Sequence, residues 1–452
     1  MHKSLSPATA VGEVRTSELL GALSTALDLT EGLLEGHSAR TCWLSMRLAA
    51  AMDLTDDQRE SLFYAALLKD AGCSSNAAAL TAIFGGDERA LKAMQATAGR
   101  SLLANAVLSL RGLAAASDPM LVRIRRLVHL AVSGSRERRA IEHTRCERGG
   151  KITLNAGFGP EVAEGVMSVH EQWDGRGLPM GLSGDRIPLF SRIIAVCGAL
   201  DVLTSAFGRK RAVRTIRARR GTWYDPELTD QLLALAADGL VHELVSGRVE
   251  ERIGEMEPDR LIRLSDVADV DRIASAFADV IDAKSPYTAS HSHRVAAIAQ
   301  SLALHFGFSE TDARDVRRAG LLHDLGKLGV PNSILDKPGK LTVDEYMRIR
   351  EHPELSLRIL EPIGIFSGVA EMAACHHERL DGTGYFRGLG AESLGLGARI
   401  VAVSDVYEAL TADRPYREAW SPERAMEVMR ETAGDHLAAD VIEALPFVTP
   451  NP

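Results

Sequence analysis

Five histidines and two aspartates in the last third of the chain follow one another on segments with helical spacing of apolar residues. They are His291, His323, Asp324, His352, His376, His377 and Asp405. Imidazoles and carboxylates that converge from separate helices are the ligands of a metal site in the core of a helical bundle. A single histidine on an apolar helix is more often an ordinary core residue, but burying this many polar groups without a metal is costly.

Further short motifs surround these residues in a fixed order. They are residues 287–295 (YTASHSHRV), 322–331 (LHDLGKLGVP), 337–342 (KPGKLT), 376–385 (HHERLDGTGY) and 409–417 (ALTADRPYR). A histidine–aspartate pair alone is a weak signal, whereas this ordered series is a strong one. From residue 271 to residue 445 the chain resembles the HD-GYP family of metal-dependent phosphodiesterases, within the HD phosphohydrolase superfamily.

The resemblance implies a site for two divalent transition-metal ions. It assigns one ion to His291, His323, Asp324 and Asp405, and the other to Asp324, His352, His376 and His377. Two metals about 3.5–4 Å apart acidify a bridging water and clamp phosphate oxygens. Five imidazoles favour iron, manganese, zinc or nickel over magnesium, and the family resemblance points to iron or manganese.

Four further residues complete the predicted site. Lys327 lies three residues after Asp324, within reach of a phosphate oxygen or the leaving group, so we expect Asp324 and Lys327 to be catalytic. The resemblance places Arg414 and Arg417 at the substrate phosphates, and guanidinium groups suit bidentate phosphate binding. Tyr385, in the glycine-rich loop, is a further expected substrate contact. The implied reaction linearises a cyclic dinucleotide, with cyclic di-GMP, hydrolysed to pGpG and GMP, as the first candidate.

The loop after residue 381 departs from the family pattern. Phe386 stands where the family has proline, and Ala391 and Gly395 replace a later glycine and proline. Losing a residue with a fixed φ and gaining glycine predicts a looser loop. We therefore expect Phe386→Pro to strengthen the binding of cyclic di-GMP. The alternative is that Phe386 contacts a base of another nucleotide.

The first half of the chain repeats the motif order of the second half. Residues 36–40 (GHSAR), 66–73 (ALLKDAGC) and 170–184 (HEQWDGRGLPMGLSG) correspond to the segments of His291, His323 and His377. Lys69, Cys73, Val169 and Gly198 replace the expected histidine, lysine, histidine and aspartate. His37, Asp70 and His170 remain, and His143 is a further candidate. A lysine ammonium where a cation would bind disfavours a metal, so we expect a metal-free copy with a structural, dimerising or ligand-sensing role.

The repeat predicts an all-α fold made of two tandem HD-type helical bundle domains. Residues 1–245 would form the degenerate domain, 246–264 a helical linker and 265–452 the catalytic domain, and 452 residues suffice for two domains. The degenerate domain is also the candidate surface for a homodimer.

Composition bears on partners and location. The net charge of −9 gives no support for a nucleic-acid polymer as partner, and the basic run at 209–220 is typical of a solvated helix face. Five cysteines without a CxxC pair indicate reduced thiols. We see neither an apolar signal core nor a stretch approaching 18 apolar residues. We therefore expect a cytoplasmic protein with no membrane contact.

Two other functions stay open at this point. The first is metal-dependent hydrolysis of another cyclic nucleotide or of a nucleotide phosphate. The second is a catalytically weak adaptor that senses a nucleotide or binds a protein. The complete ligand set argues against the adaptor, because an adaptor has no need of Asp324 and Lys327 together.

Overall fold

A computed structural model of the protein describes residues 14–84, 87–97, 120–246, 253–257, 263–413 and 418–448. Its α-helices are α1 Thr16–Glu31, α2 His37–Ala51, α3 Asp56–Leu68, α4 Ala77–Phe84, α5 Glu88–Thr97, α6 Met120–Asn155, α7 Pro160–Met167, α8 Leu189–Phe207, α9 Arg209–Ala218, α10 Pro226–Ala237, α11 Leu240–Ser246, α12 Val267–Asp282, α13 His291–His305, α14 Glu310–Leu322, α15 Asn332–Leu335, α16 Val343–Arg350, α17 His352–Leu360, α18 Ser367–Ala374, α19 Leu396–Thr411, α20 Pro422–Arg430 and α21 Ala439–Val448. Within these ranges β-structure is limited to isolated bridges. The all-α prediction is confirmed.

The chain divides into two compact units between Ser265 and Asp266. The first unit contains Val14–Ser265 and Pro331–Asp336, and the second contains Asp266–Val330 and Lys337–Pro452. These are the two tandem helical bundles that the sequence predicts. Much of the predicted linker at 246–264 lies outside the described residues.

The core of the second unit forms where α13 packs against α14 and α19. Their facing sides bury apolar residues completely, among them Val295, Leu302, Leu321, Leu322 and Val403. Each such side chain contributes roughly 1.5–3 kcal/mol when removed from water. This packing fixes the ends of α13 and α14 beside the middle of α19, and the polar residues of the last third lie at those points.

The segment around His352 differs from the sequence prediction. The sequence of residues 345–360 (EYMRIREHPELSLRIL) predicts one helix with His352 inside it, but α16 ends at Arg350 and α17 begins at His352. Pro353 lies in the first turn of α17, where its missing N–H is harmless, and a proline there disfavours a continuous helix through the preceding residues. The break leaves His352 at a helix start instead of in a helix interior.

A 3₁₀ turn, Leu325–Gly329, follows Asp324 and packs against α17. A Cβ added to Gly326 would overlap the carbonyl oxygen of His352. The Gly326 N–H donates to Ser356 Oγ at 2.8 Å, and this hydroxyl donates to the carbonyl oxygen of His323 at 3.0 Å. Only glycine permits this approach, which holds His323 and Asp324 against the start of α17.

The first unit contains the same close approach. A Cβ added to Gly72 would overlap the carbonyl oxygen of Arg145, as one added to Gly326 would overlap that of His352. Arg145, on α6, therefore stands at the position that His352 occupies in the second unit. The internal repeat extends to the detailed packing of the turns.

Helix α8 is long and apolar enough, by length and composition, to cross a membrane, although we expected no such stretch. Half of its apolar window is buried within the protein. Its Asp201 accepts hydrogen bonds from His37 Nδ1 and Arg40 Nε, each at 2.7 Å. A buried helix whose charged residue is paired inside the protein is typical of the core of a helical bundle. Its composition resembles that of a membrane-spanning helix because both of its sides are apolar.

We expect Gly326→Ala to destabilise the second unit, because the added methyl group must displace α17 or the 3₁₀ turn. Overpacking of this kind costs about 1–3 kcal/mol. Gly364→Ala is the matched control, since no atom lies within 4 Å of a Cβ built there. Thermal unfolding followed by circular dichroism measures both. Equal midpoints for the two variants would contradict the proposed packing constraint.

Candidate metal centre

The seven predicted metal ligands converge inside the second unit. Their donor atoms form three groups whose members lie within 4.8 Å of one another: His352, His376 and His377; His291, His323 and Asp324; and His323, His376 and Asp405. His377 and Asp405 are partly buried and the other five are almost completely buried. The structure thus brings together every ligand that the resemblance implies.

Helix ends position most of these side chains. His291 and His352 are the first residues of α13 and α17, His323 follows the last residue of α14, and His376 and His377 come just after α18. Asp405 is the exception and lies in the middle of α19. A residue at a helix end can hydrogen-bond to a terminal backbone carbonyl that the helix leaves unpaired.

Three of the imidazoles use this opportunity through Nδ1. The contacts are His323 to the carbonyl of Gly320 (2.8 Å), His352 to that of Ile349 (2.7 Å) and His376 to that of Ala373 (2.7 Å). A carbonyl oxygen only accepts, so Nδ1 carries the proton in each ring. In the neutral imidazole Nε2 is then a bare lone pair, which is the form that binds a metal.

Several of these inward-facing atoms have no satisfactory partner among the residues that the structure describes. The Nε2 atoms of His352 and His376 lie 3.2 Å apart, and both carry lone pairs because both Nδ1 protons are used elsewhere. His323 Nε2 and Asp324 Oδ1 are buried without a hydrogen-bond partner among the described residues. Buried acceptors of this kind are unfavourable, and a cation among them satisfies all of them. The donor set therefore fits divalent metal ions.

The two oxygens of Asp324 face different ligands. Oδ2 lies 3.4 Å from His323 Nε2 and 3.9 Å from His291 Nε2. Oδ1 lies 3.4 Å from His352 Nε2 and 3.7 Å from His376 Nε2. Donor atoms around a metal with bonds of ~2.1 Å are themselves separated by roughly 3–3.5 Å. This division of one carboxylate between two sets of imidazoles is the geometry of a bridging ligand.

The remaining two ligands fall on opposite sides of Asp324. Asp405 Oδ1 lies 3.3 Å from His291 Nε2 and 3.7 Å from His323 Nε2. The His377 ring lies against the other set, with its centroid 4.0 Å from that of His376. The partition agrees with the one that the family resemblance implies.

The pKa values of His376, His377 and Asp324 favour metal binding. Burial lowers the pKa of His377 to about 3, with the nearby His352 adding to the effect. Burial also lowers the pKa of His376 far below its usual value, aided by the neighbouring imidazoles. Burial opposes the ionisation of Asp324, but His323 and Lys327 outweigh it and hold the pKa of the carboxyl well below its usual range. Neutral imidazoles and ionised carboxylates are the ligand forms.

Glu408 is a supporting residue that the sequence reasoning missed. Its side chain is 2% exposed, accepts from Arg294 Nε at 2.6 Å and contacts His291 Nδ1. Burial lowers the pKa of His291, but hydrogen bonds to Asp405 and Glu408 raise it to about 9. The contact of Glu408 with Nδ1 leaves His291 Nε2 facing Asp324, and a metal that binds Nε2 displaces its proton. The spacing of three residues between Asp405 and Glu408, on one face of α19, was the available signal.

The predicted substrate contacts are only partly described. Lys327 Nζ lies 2.6 Å from Asp324 Oδ2 and its side chain is 28% exposed, which places it at the rim of the site. Tyr385 stacks on His377 with a ring-centroid distance of 4.5 Å. Arg414 and Arg417 lie outside the described residues.

The glycine-rich loop differs from the loose loop that we expected. The Glu378 carboxylate accepts from the backbone N–H groups of Arg387, Gly388 and Leu389 at 2.7, 3.1 and 3.0 Å. Phe386 has a φ of 101°, a value that proline cannot adopt because its ring fixes φ near −65°. Phe386→Pro would therefore distort this loop, and the expectation that it orders the loop is wrong for this conformation.

In the first unit, side-chain cations lie where the second unit has imidazoles. Lys69 forms an ion pair with Asp70. Arg145 lies 2.6 Å from Cys73 Sγ and 3.4 Å from an oxygen of Asp70. His143, the further candidate, is instead 57% exposed and pairs with a glutamate of its own helix, because Arg145 occupies the position facing the turn at Gly72.

The chain belongs to the HD domain family, whose model matches residues 74–228 and 275–441. It carries two copies of the domain and is a metal-dependent phosphodiesterase.

The chain is 37% identical over 427 residues to the 3′3′-cGAMP-specific phosphodiesterase 3 of Vibrio cholerae serotype O1, covering 94% of this chain and 92% of the relative. It is 36% identical to the cyclic di-GMP phosphodiesterase response regulator RpfG of Xanthomonas campestris pv. campestris, covering 44% of this chain and 54% of the relative. A crystal structure of a V. cholerae cyclic GMP-AMP-specific phosphodiesterase, V-cGAP3, matches with a TM-score of 0.65 and 33% identity, covering 96% of this chain and 97% of the other.

We expect Asp324→Ala to remove bound metal and phosphodiesterase activity together, because both ligand sets lose their shared carboxylate. Asp70→Ala is the matched control, since Asp70 pairs with Lys69 and Arg145 in the first unit. It should leave about two metal ions per chain and nearly full activity. Plasma emission spectroscopy gives the metal content of both variants. Equal metal loss from both would show that the first unit contributes to the centre.

Proposed function

We propose that this chain hydrolyses a cyclic dinucleotide at a dinuclear metal centre in its second unit, and that 3′3′-cGAMP is the substrate. The observation that carries the dinuclear centre is the division of the Asp324 oxygens between two sets of imidazoles. The likeness to a 3′3′-cGAMP-specific enzyme along 94% of the chain, both units included, supports the substrate.

Cyclic di-GMP is the second candidate substrate. A cyclic di-GMP phosphodiesterase of Pseudomonas aeruginosa, PA4108, is 43% identical, but the match covers 35% of this chain. The two substrates differ in one base and share the phosphodiester linkage. The metal centre therefore serves either, and residues around the bases decide between them.

The proposed roles follow from the position of each side chain. The metals are held by His291, His323, Asp324, His352, His376, His377 and Asp405. These ligands favour iron, manganese, zinc or nickel over magnesium, and the family resemblance points to iron or manganese. When bound, the two ions supply an acidified water and a clamp for phosphate oxygens. Lys327, at the rim, donates a charge-assisted hydrogen bond to a phosphate oxygen or to the leaving oxygen. Tyr385, stacked on His377, contacts the substrate beside the phosphate.

The first unit has a non-catalytic role in this proposal. Lys69 and Arg145 carry fixed positive charge next to Asp70, which disfavours two further cations there. We assign to this unit, residues 1–245, regulation or homodimer formation, and to residues 265–452 the catalysis. A cytoplasmic location stays a prediction.

The test is an assay of the purified protein, loaded with manganese or ferrous iron, on 3′3′-cGAMP, cyclic di-GMP and a nucleoside triphosphate. We expect linear dinucleotide products, with kcat/KM at least tenfold higher for 3′3′-cGAMP than for cyclic di-GMP. A higher kcat/KM for cyclic di-GMP than for 3′3′-cGAMP would make cyclic di-GMP the substrate and would leave the proposed metal centre unchanged. Hydrolysis of the triphosphate alone, by protein containing two metals, would refute the proposed function.

A further inference from the structure

A series of stacked side chains leads from the metal centre to the surface of the second unit. The Tyr385 ring stacks on His377 at 4.5 Å, with an interplanar angle of 30°. The guanidinium carbon of Arg350 lies 4.9 Å from the centroid of Tyr385 and 5.8 Å from that of Tyr346. Arg350 is thus connected to the predicted metal ligand His377 through the Tyr385 ring, and Tyr346 is connected to it through Arg350 and Tyr385.

The outer end of this series is an exposed aromatic ring. Tyr346 is 48% exposed, and its neighbours on α16, Val343 and Met347, are 78% and 51% exposed. None of the residues of α16 is buried. Exposed apolar side chains gathered on one helix commonly mark a binding surface, and here the surface is continuous with the catalytic site.

Arg350 lacks an acidic partner in the described part of the chain. Its polar contact is a weak one, from Nη1 to the sulfur of Met347 at 3.9 Å. The guanidinium lies near two tyrosine rings, those of Tyr346 and Tyr385. Its N–H fork therefore remains available to a ligand with two adjacent acceptors.

A purine base suits both features. Bases stack on aromatic side chains in a sequence-tolerant manner, and a guanidinium donates two parallel hydrogen bonds to O6 and N7 of guanine. In a cyclic dinucleotide each base is joined through one ribose to the phosphate that is cleaved. The bases therefore lie near the metal centre when this phosphate is bound there.

We propose that Tyr346 stacks on a guanine base of the substrate and that Arg350 binds the O6/N7 edge of this base. Both candidate substrates contain guanine, so this specificity surface rests on the proposed function but does not depend on which of the two is correct. The proposal assigns recognition of one guanine base to α16, none of whose residues is buried.

The test compares Tyr346→Ala with the unaltered protein by steady-state kinetics. We expect KM for 3′3′-cGAMP and for cyclic di-GMP to rise about five- to hundredfold, the range for losing one stacked base, with kcat changed less than twofold. Tyr346→Phe keeps the ring and should retain the original KM. Phe447→Ala is the matched control, because Phe447 is 76% exposed and stacks on His305 instead.

Methyl p-nitrophenyl phosphate separates base binding from chemistry, because this phosphodiester has no nucleobase. Its hydrolysis should be unchanged by Tyr346→Ala. GMP should inhibit this hydrolysis in the unaltered protein, and Arg350→Met should raise the inhibition constant of GMP about tenfold while leaving that of AMP unchanged.

Two results would overturn the inference. One is a KM for both dinucleotides that stays within twofold after Tyr346→Ala, and the other is equal weakening of GMP and AMP by Arg350→Met. If the unaltered protein cleaves methyl p-nitrophenyl phosphate but no cyclic dinucleotide, the proposed function fails, and the GMP inhibition still tests the base-binding surface independently.

Discussion

The buried carboxylate of Asp324 is the group on which the second unit is organised. It is 1% exposed, and each of its oxygens faces a different pair of imidazole nitrogens. Lys327 pairs with one of its oxygens, while the lone pairs of His352 Nε2 and His376 Nε2 face each other. Removing a charge and several acceptors from water is unfavourable unless they are paired, and the two metal ions that we propose would provide the pairing.

The first unit shows how the same scaffold persists without that requirement. Gly72 closely approaches the backbone of Arg145, just as Gly326 closely approaches the backbone of His352. The side chains of Arg145 and Lys69 are themselves positively charged and pair with Asp70, in place of metal ions. The packing of the turns defines the fold, and the side chains placed on it define the chemistry.

Much of the catalytic unit could be predicted from the sequence, because its motifs specify which residues lie at helix ends. The contact between Glu408 and His291 was not predictable in the same way, since it joins residues 117 positions apart. The φ of 101° at Phe386 was also missed. The family has proline at this position, and its loss predicts a loose loop, whereas the carboxylate of Glu378 holds the backbone. The helix break before His352 was signalled by Pro353, which lies in the first turn of α17 and disfavours a continuous helix through the preceding residues.

Anomalous diffraction from crystals of the manganese-loaded protein tests the central claim most directly. We expect two peaks per chain, about 3.5–4 Å apart, one next to Asp324 Oδ2 with His291, His323 and Asp405, and one next to Oδ1 with His352, His376 and His377. The region around Asp70 should show no peak. A single peak in the second unit, or a peak beside Lys69 and Arg145, would contradict the account.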